Sequence, residues 1–188
     1  MLTNVKWGGV KWIKFCISDI FNIEPGTRLT KANFIDGKRP FIGATDSNNG
    51  ITAWVDNVND SLDCDVLGVN YNGSVGETFY HPYECIFSDD VKRLHLKDGK
   101  KSKYVMLYLK TQILQQKIKY DYGYKFNAER MRRQYIMLPV DDANQPNWEY
   151  MNLQMQNLEN RLIYNYISTK NLFLGRSPNG SGYRKLSL

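Results

Sequence analysis

Hydrophobic and polar positions change their period near Ser102. Before it, apolar residues fall in short, loosely alternating runs separated by turn formers, the pattern of strands. Trp12-Ile-Lys-Phe-Cys-Ile alternates, and Ser18-Asp-Ile-Phe begins a turn or a single helical turn. Pro25-Gly26 and Asp36-Gly37 mark turns. Strands are expected at Pro40–Gly43, Ile51–Val55, Val66–Val69, Thr78–Tyr80 and Glu84–Phe87. The polar stretch Asp46-Ser-Asn-Asn-Gly50 joins the first two of these, and Asn72-Gly73 is the dipeptide of a tight hairpin turn.

From Ser102 the period becomes helical. Tyr104, Leu107, Tyr108, Ile113 and Leu114 recur at helical spacing behind Ser102, a residue type suited to the N-cap. Tyr120-Asp-Tyr-Gly-Tyr-Lys-Phe reads as an aromatic, glycine-centred loop or hairpin, with Tyr124 or Phe126 assigned to the core. Asn127 can cap a short helix through Arg132, and Tyr135–Val140 reads as a strand ending at or soon after Pro139. A last helix follows, with Asn144 as its expected cap and Pro146 in its first turn. Along it Trp148, Met151, Met155, Leu158 and Leu162 are spaced 3, 4, 3 and 4 residues apart, with Asn165 next in register and Tyr166 beside it. This is an a/d heptad stripe. Such a helix either packs on its own domain or forms a two-helix seam with a partner chain.

Composition narrows the class. At 188 residues the chain has room for one domain with a real core and a short appendage. With 42% apolar and 23% charged residues it is expected to be globular. Apolar runs such as Tyr104–Leu109 are far shorter than the roughly 20 residues of a membrane span. The first residues lack the apolar core of a signal peptide. Cys16, Cys64 and Cys85 form no even set and no CxxC pair, which fits reduced thiols in a cytoplasmic protein. With His81 and His95 alone, the usual zinc spacings are excluded, and neither a metal nor a cofactor is expected.

The charge distribution says more than its total of +6. Pro40 to Val91 contains no Lys or Arg and nine acids. Lys92 to Arg133 contains thirteen basic residues against three acids, a net of +10. A block of this size can build a face that attracts phosphate. Its Lys97–Lys103 cluster reads equally well as a solvated surface.

Three segments have the make-up of a recognition surface. In Gly43–Thr52 the candidates are Thr45, Asp46, Ser47, Asn48 and Asn49. In Gly68–Glu77 they are Asn70, Tyr71, Asn72 and Ser74. Their amides and hydroxyls match base edges, and the same residues are also ordinary turn formers. In the third segment Lys119, Tyr120, Tyr122, Lys125, Arg130, Arg132 and Arg133 interleave tyrosines with cations, which suits phosphate contact and stacking. On a short helix Arg130 and Arg133 share a face and Arg132 points elsewhere. Catalytic patterns are poor. There is no Ser/His/Asp motif, and Gly73-Ser-Val-Gly76 lacks the lysine of a phosphate-binding loop. One arrangement remains as an alternative, a small Mg²⁺-dependent DNA endonuclease in which Asp65 and Asp90 hold the ion and Lys92 helps activate water. A protein-binding module that mimics DNA would need a mostly acidic surface, which the +10 segment argues against.

Several of these stretches together resemble a known family. They are Trp12-Ile-Lys-Phe with Asp19-Ile-Phe21, Gly26-Thr-Arg-Leu-Thr, Pro40-Phe-Ile-Gly-Ala-Thr-Asp-Ser-Asn-Asn-Gly-Ile, and Gly68-Val-Asn-Tyr-Asn-Gly-Ser-Val-Gly, with Tyr135-Ile-Met-Leu-Pro139 as a closing strand. Over roughly Trp12 to Tyr166 the chain resembles a target recognition domain of the specificity subunits of type I restriction–modification systems and their type IIB relatives. The resemblance implies an α+β fold: a compact mixed recognition domain with short strands and few helices, followed by one long C-terminal helix. It divides the chain into a DNA recognition domain over residues 1–143 and a dimerisation or spacer helix over 144–170; the tail over 171–188 lies beyond the resemblance and is expected to be flexible because Gly175–Gly182 is rich in Gly, Ser, Asn and Pro. It implies sequence-specific binding to double-stranded DNA without catalysis by this chain. The partners would be a methyltransferase subunit and a restriction subunit. Family subunits commonly carry two recognition domains and two helices. One of each here implies a homodimer or pairing with a second half-subunit through Trp148–Tyr166.

Overall fold

The computed structural model describes residues 5–7, 9–97 and 101–173. In chain order the strands are β1 (Val5–Trp7), β2 (Val10–Cys16), β3 (Phe21–Pro25), β4 (Asp36–Ile42), β5 (Ile51–Val55), β6 (Val66–Asn70), β7 (Thr78–His81), β8 (Ile86–Phe87), β9 (Val91–Leu96) and β10 (Tyr135–Pro139). The helices are α1 (Ile17–Ile20), α2 (Lys103–Leu114), α3 (Ala128–Arg133) and α4 (Trp148–Phe173). The strands form three small sheets, ordered β1-β2-β10, β3-β9-β6-β7 and β5-β4-β8. All ladders are antiparallel except β4 with β8. This is the mixed α+β architecture with one long last helix that the sequence implies.

Local signals start the helices. The Ser102 hydroxyl accepts from the Val105 amide at 3.1 Å, and the Asn127 side chain accepts from the Arg130 amide at 3.0 Å. Each satisfies one of the donors that a helix start leaves unpaired. Helix α2 then buries Val105, Met106, Tyr108, Leu109 and Ile113 against Leu67 and Val69 of β6, Ile136 and Leu138 of β10, and Met151 of α4. Each such aliphatic side chain contributes roughly 1.5–3 kcal/mol on burial. The buried stripe lies slightly round from the expected one, since Tyr104, Leu107 and Leu114 stay half-buried. The Tyr104 hydroxyl instead donates to Glu159 of α4 at 2.6 Å.

Three local expectations are corrected. Asp36-Gly37 is no turn but a bulge inside β4, where Asp36 and Arg39 both face Val55. A Cβ on Gly37 would stand 2.5 Å from the Asp56 nitrogen, so the close strand approach needs glycine there. Asn72-Gly73 does not close a two-residue hairpin. It lies in a wider loop between β6 and β7 whose base is the mutual pairing of Asn70 with Glu77 and Gly76. Helix α4 is capped by Asn147, whose Oδ1 accepts from the Tyr150 amide at 2.9 Å. Asn144 sits earlier, at φ 61, in a turn closed by its amide on the Asp141 carbonyl at 3.0 Å. Pro146 pairs with Val140 ahead of the helix. The helix runs to Phe173, and residues 174–188 of the expected tail lie outside the described residues. No described helix is long and apolar enough to cross a membrane.

Candidate functional site

The two polar loops lie side by side. The Asn70 amide donates to the Thr45 carbonyl at 2.9 Å, and the Ser74 backbone amide donates to the Ala44 carbonyl at 3.1 Å. Gly73, at φ 58, brings its backbone so close that a Cβ would stand 2.3 Å from the Ala44 carbonyl oxygen. Asn70 is itself buried, so its side chain holds the loops together rather than facing solvent. In the first loop Asp46, Ser47, Asn48 and Asn49 are exposed. The Thr45 and Ser47 hydroxyls bond each other at 3.1 Å. The Asn49 amide donates to the Tyr83 hydroxyl at 2.7 Å.

The second loop is fixed from the far side by β9. The Tyr71 amide donates to the Asp90 carbonyl at 3.0 Å, and the Asn72 side chain donates to the Asp90 carboxylate at 3.0 Å. The Lys92 ammonium stands 4.4 Å over the Tyr71 ring. Burial and the carboxylates of Asp90 and Asp89 push the Tyr71 phenol above its ordinary pKa. Burial holds the Lys92 ammonium below its own, against the pull of the same two acids.

The basic segment joins through an ion pair of Lys117 with Glu77 at the end of the second loop. Beyond it the aromatic residues divide. Tyr120 stacks on Phe126 at 4.1 Å, faces Tyr124 at 5.7 Å and donates its hydroxyl to Gln134 at 2.7 Å. It serves as part of the loop's foundation. Phe126 is the fully buried member, and Tyr124 stays exposed beneath the Arg130 guanidinium at 3.7 Å. Arg130 also donates to the Lys125 carbonyl at 2.6 Å, so it braces the hairpin. Tyr122 is 77% exposed at the loop tip, with the Lys125 ammonium 5.1 Å over its ring. Lys119 is exposed and donates to Gln116. Arg133 is exposed and pairs with Glu129 at 3.0 Å. Arg132 is exposed and makes no ion pair among the described residues.

The endonuclease arrangement is contradicted. Asp65 precedes β6, whereas Asp90 pairs with Tyr71 just beyond its other end. At about 3.3 Å per residue the two acids are separated by on the order of 20 Å, too far to share one ion. Asp65 is engaged by the Tyr80 hydroxyl at 2.5 Å and by Lys101 at 3.2 Å. Lys92 reaches the Asp89 carbonyl at 3.4 Å and the Tyr71 ring.

The stripe on α4 changes character along its length. Met151 is fully buried, and Trp148 and Met155 pack against the main core. Leu158 is half-buried. Leu162 is 60% exposed, and every side chain from Arg161 to Ile167 is exposed, including Ile163, Tyr164 and Tyr166. The helix thus docks by its first turns and presents an uncovered apolar surface beyond them.

Residues 9–168 match the type I restriction modification DNA specificity domain. The chain belongs to that family. Among similar proteins is the type II restriction enzyme BgcI specificity subunit S.BcgI of Heyndrickxia coagulans, 54% identical over 154 residues. The match covers 82% of this chain and 45% of that protein, so the chain spans less than half its relative's length. The type I restriction–modification S subunit from M. genitalium has the same fold, with a TM-score of 0.60 at 15% identity over 88% of this chain and 45% of that one. The HsdS subunit from Thermoanaerobacter tengcongensis gives 0.57 at 13% identity, over 85% and 40%.

Residues outside the expected site also build this specificity domain's loop surface. Tyr83 anchors Asn49, and Lys117 with Glu77 seats the basic segment. Their contacts span 34 and 40 residues, and no local pattern marks such pairs.

Proposed function

We propose that this chain reads a short sequence of double-stranded DNA as the specificity element of a restriction–modification assembly. Methyl transfer and cleavage would be carried out by partner methyltransferase and restriction chains. The observation that carries the reading is the joining of the two polar loops to each other and, through Lys117 and Glu77, to the basic segment. That union makes one surface with two kinds of groups. Lys119, Lys125, Arg132 and Arg133 supply cations for phosphate oxygens, which position a duplex without reading it. Asp46, Ser47, Asn48, Tyr71 and Ser74 supply donors and acceptors suited to base edges. Thr45, Asn49, Asn70, Asn72, Tyr120 and Arg130 hold the loops in place around them.

The exposed end of α4 supports a second part of the reading. Leu158, Leu162 and their neighbours continue the heptad register past the last core contact. Pairing with the equivalent helix of a second recognition unit, whether a second copy or a different one, would cover this face and set the distance between two DNA half-sites.

Selection from a random pool of duplex DNA, followed by sequencing of the bound fraction, tests the recognition reading. A short enriched motif is expected, repeated in inverted form if two copies pair. A bound pool as random as the starting pool overturns it.

A further inference from the structure

Beneath the first polar loop, a chain of hydrogen bonds runs from its tip to the buried His81 at the end of the edge strand β7. Asn48 and Asn49 both adopt left-handed backbone, with φ of 50 and 54, directly before Gly50 at φ 79. Asparagine tolerates this region better than most residues, but two in succession persist only where the surroundings hold them. Here the Gly50 amide donates to the Ser47 carbonyl and the Gly43 amide to the Gly50 carbonyl, both at 2.9 Å. The Asn49 side chain supplies the remaining anchor, donating to the Tyr83 hydroxyl at 2.7 Å and to the Tyr80 carbonyl at 3.4 Å.

Having accepted from Asn49, the Tyr83 hydroxyl has its own proton to give. The Nδ1 atom of His81 stands 3.4 Å away. His81 is fully buried, packed edge-on against Tyr83 and Phe87 at 5.8 and 5.2 Å and facing Gly68 of β6. Burial pushes its imidazole down to about 4, so the ring is neutral near pH 7, and Nδ1 pairs with the Tyr83 hydroxyl as donor or acceptor according to the tautomer. The relay Asn49–Tyr83–His81 therefore ties the strained turn to the buried end of β7. It engages the amide of Asn49 and leaves that of Asn48, which is exposed and makes no hydrogen bond with a described residue. An asparagine amide offers one donor and one acceptor side by side, the pattern that matches N7 and N6 of adenine.

We infer that Asn48 reads the major-groove edge of an adenine, and that Tyr83 and His81 are the positioning residues that hold it in register. The inference rests on the DNA-recognition reading and deepens it. Tyr83→Phe removes one oxygen, and Asn48→Ala alters an exposed side chain, so both variants keep the core intact. The test applies random-pool selection to the wild type, both single variants and the double variant, with affinity for a fixed random-sequence duplex measured alongside. For Tyr83→Phe the random-duplex affinity is expected to stay within about twofold, because phosphate contacts supply it. Asn48→Ala should lose preference at one A·T position of the motif by roughly 5- to 150-fold. Tyr83→Phe should weaken preference at that same position, and the double variant should be no worse than Asn48→Ala alone. Asn48→Asp, which replaces the donor by an acceptor, should also lose the adenine preference.

An unchanged motif in Tyr83→Phe, or an effect at a different position from Asn48→Ala, overturns the positioning role. An unchanged motif in Asn48→Ala, or a loss at a G·C pair, overturns the reader. A wild-type pool without any motif instead refutes DNA recognition itself, and this inference with it.

Discussion

Lowering the pH from 7 to 5 should cost this domain about 2 kcal/mol of folding stability through one side chain, His81. Its pKa is pushed down to about 4 in the folded protein, against 6.5 for the free side chain, and the cause is burial alone. As the pH falls, the unfolded chain therefore takes up its proton first. The folded state keeps its full advantage above pH 6.5, loses it progressively toward pH 4, and loses no more below that. Across the whole window the 2.5-unit difference is worth roughly 3 kcal/mol at 1.36 kcal/mol per unit. About 2 kcal/mol of it falls between pH 7 and 5, above the range where ordinary carboxylates titrate. The measurement is the denaturant unfolding free energy at pH 7, 6 and 5 for the wild type and His81→Gln. The variant starts lower at pH 7, because Tyr83 loses its partner. It should nonetheless lose about 2 kcal/mol less than the wild type on going to pH 5. His95 is present in both proteins and cancels in the comparison. Equal losses in the two proteins would refute the claim that His81 is buried in its neutral form.

Gly73→Ala should separate the polar loops, because a Cβ there meets the Ala44 carbonyl at 2.3 Å and the backbone stands at φ 58. Thermal unfolding should report a loss of about 1–3 kcal/mol, and binding selection a degraded motif. Arg132→Ala and Arg133→Ala should each weaken binding to random-sequence duplex and reduce the dependence of log K on log salt by about 0.9, with the thermal midpoint unchanged. A salt dependence equal to wild type removes either residue from the phosphate-contacting set. With a second copy as the partner of α4, Leu162→Asp places a charge on the exposed heptad face and should shift light scattering from dimer toward monomer with little effect on stability; a wild type that scatters as a monomer at high concentration rules out that partner.

How much of this could be seen in the residues alone depended on the range of the signal. The strand Ile51–Val55 has the bounds its alternation and flanking glycine indicate, and Ser102 and Asn127 cap the helices they precede. Capping and period act within about four residues, so a local pattern contains them. The bulge at Gly37 and the cap at Asn147 were not legible. The first is decided by the approach of Asp56, and the second by the pairing of Pro146 with Val140 just ahead of it.

For the candidate site the division falls differently. Composition located the polar and basic segments, because groups that contact polyanions must carry donors and charge wherever they are placed. It could not sort them. Asn70 and Asn72 are two residues apart in one loop, yet Asn70 is buried on Thr45 while Asn72 binds Asp90. Tyr120 and Tyr122 share one loop, yet one stacks inward on Phe126 and the other stands at the tip. Asp65 and Asp90 looked like a pair until β6 came to lie between them. The residues by themselves determined the class of fold, the helix starts and the chemistry available. Which side chains face outward, and which hold them there, was decided by contacts across tens of residues, because burial is a property of packed segments rather than of any one of them.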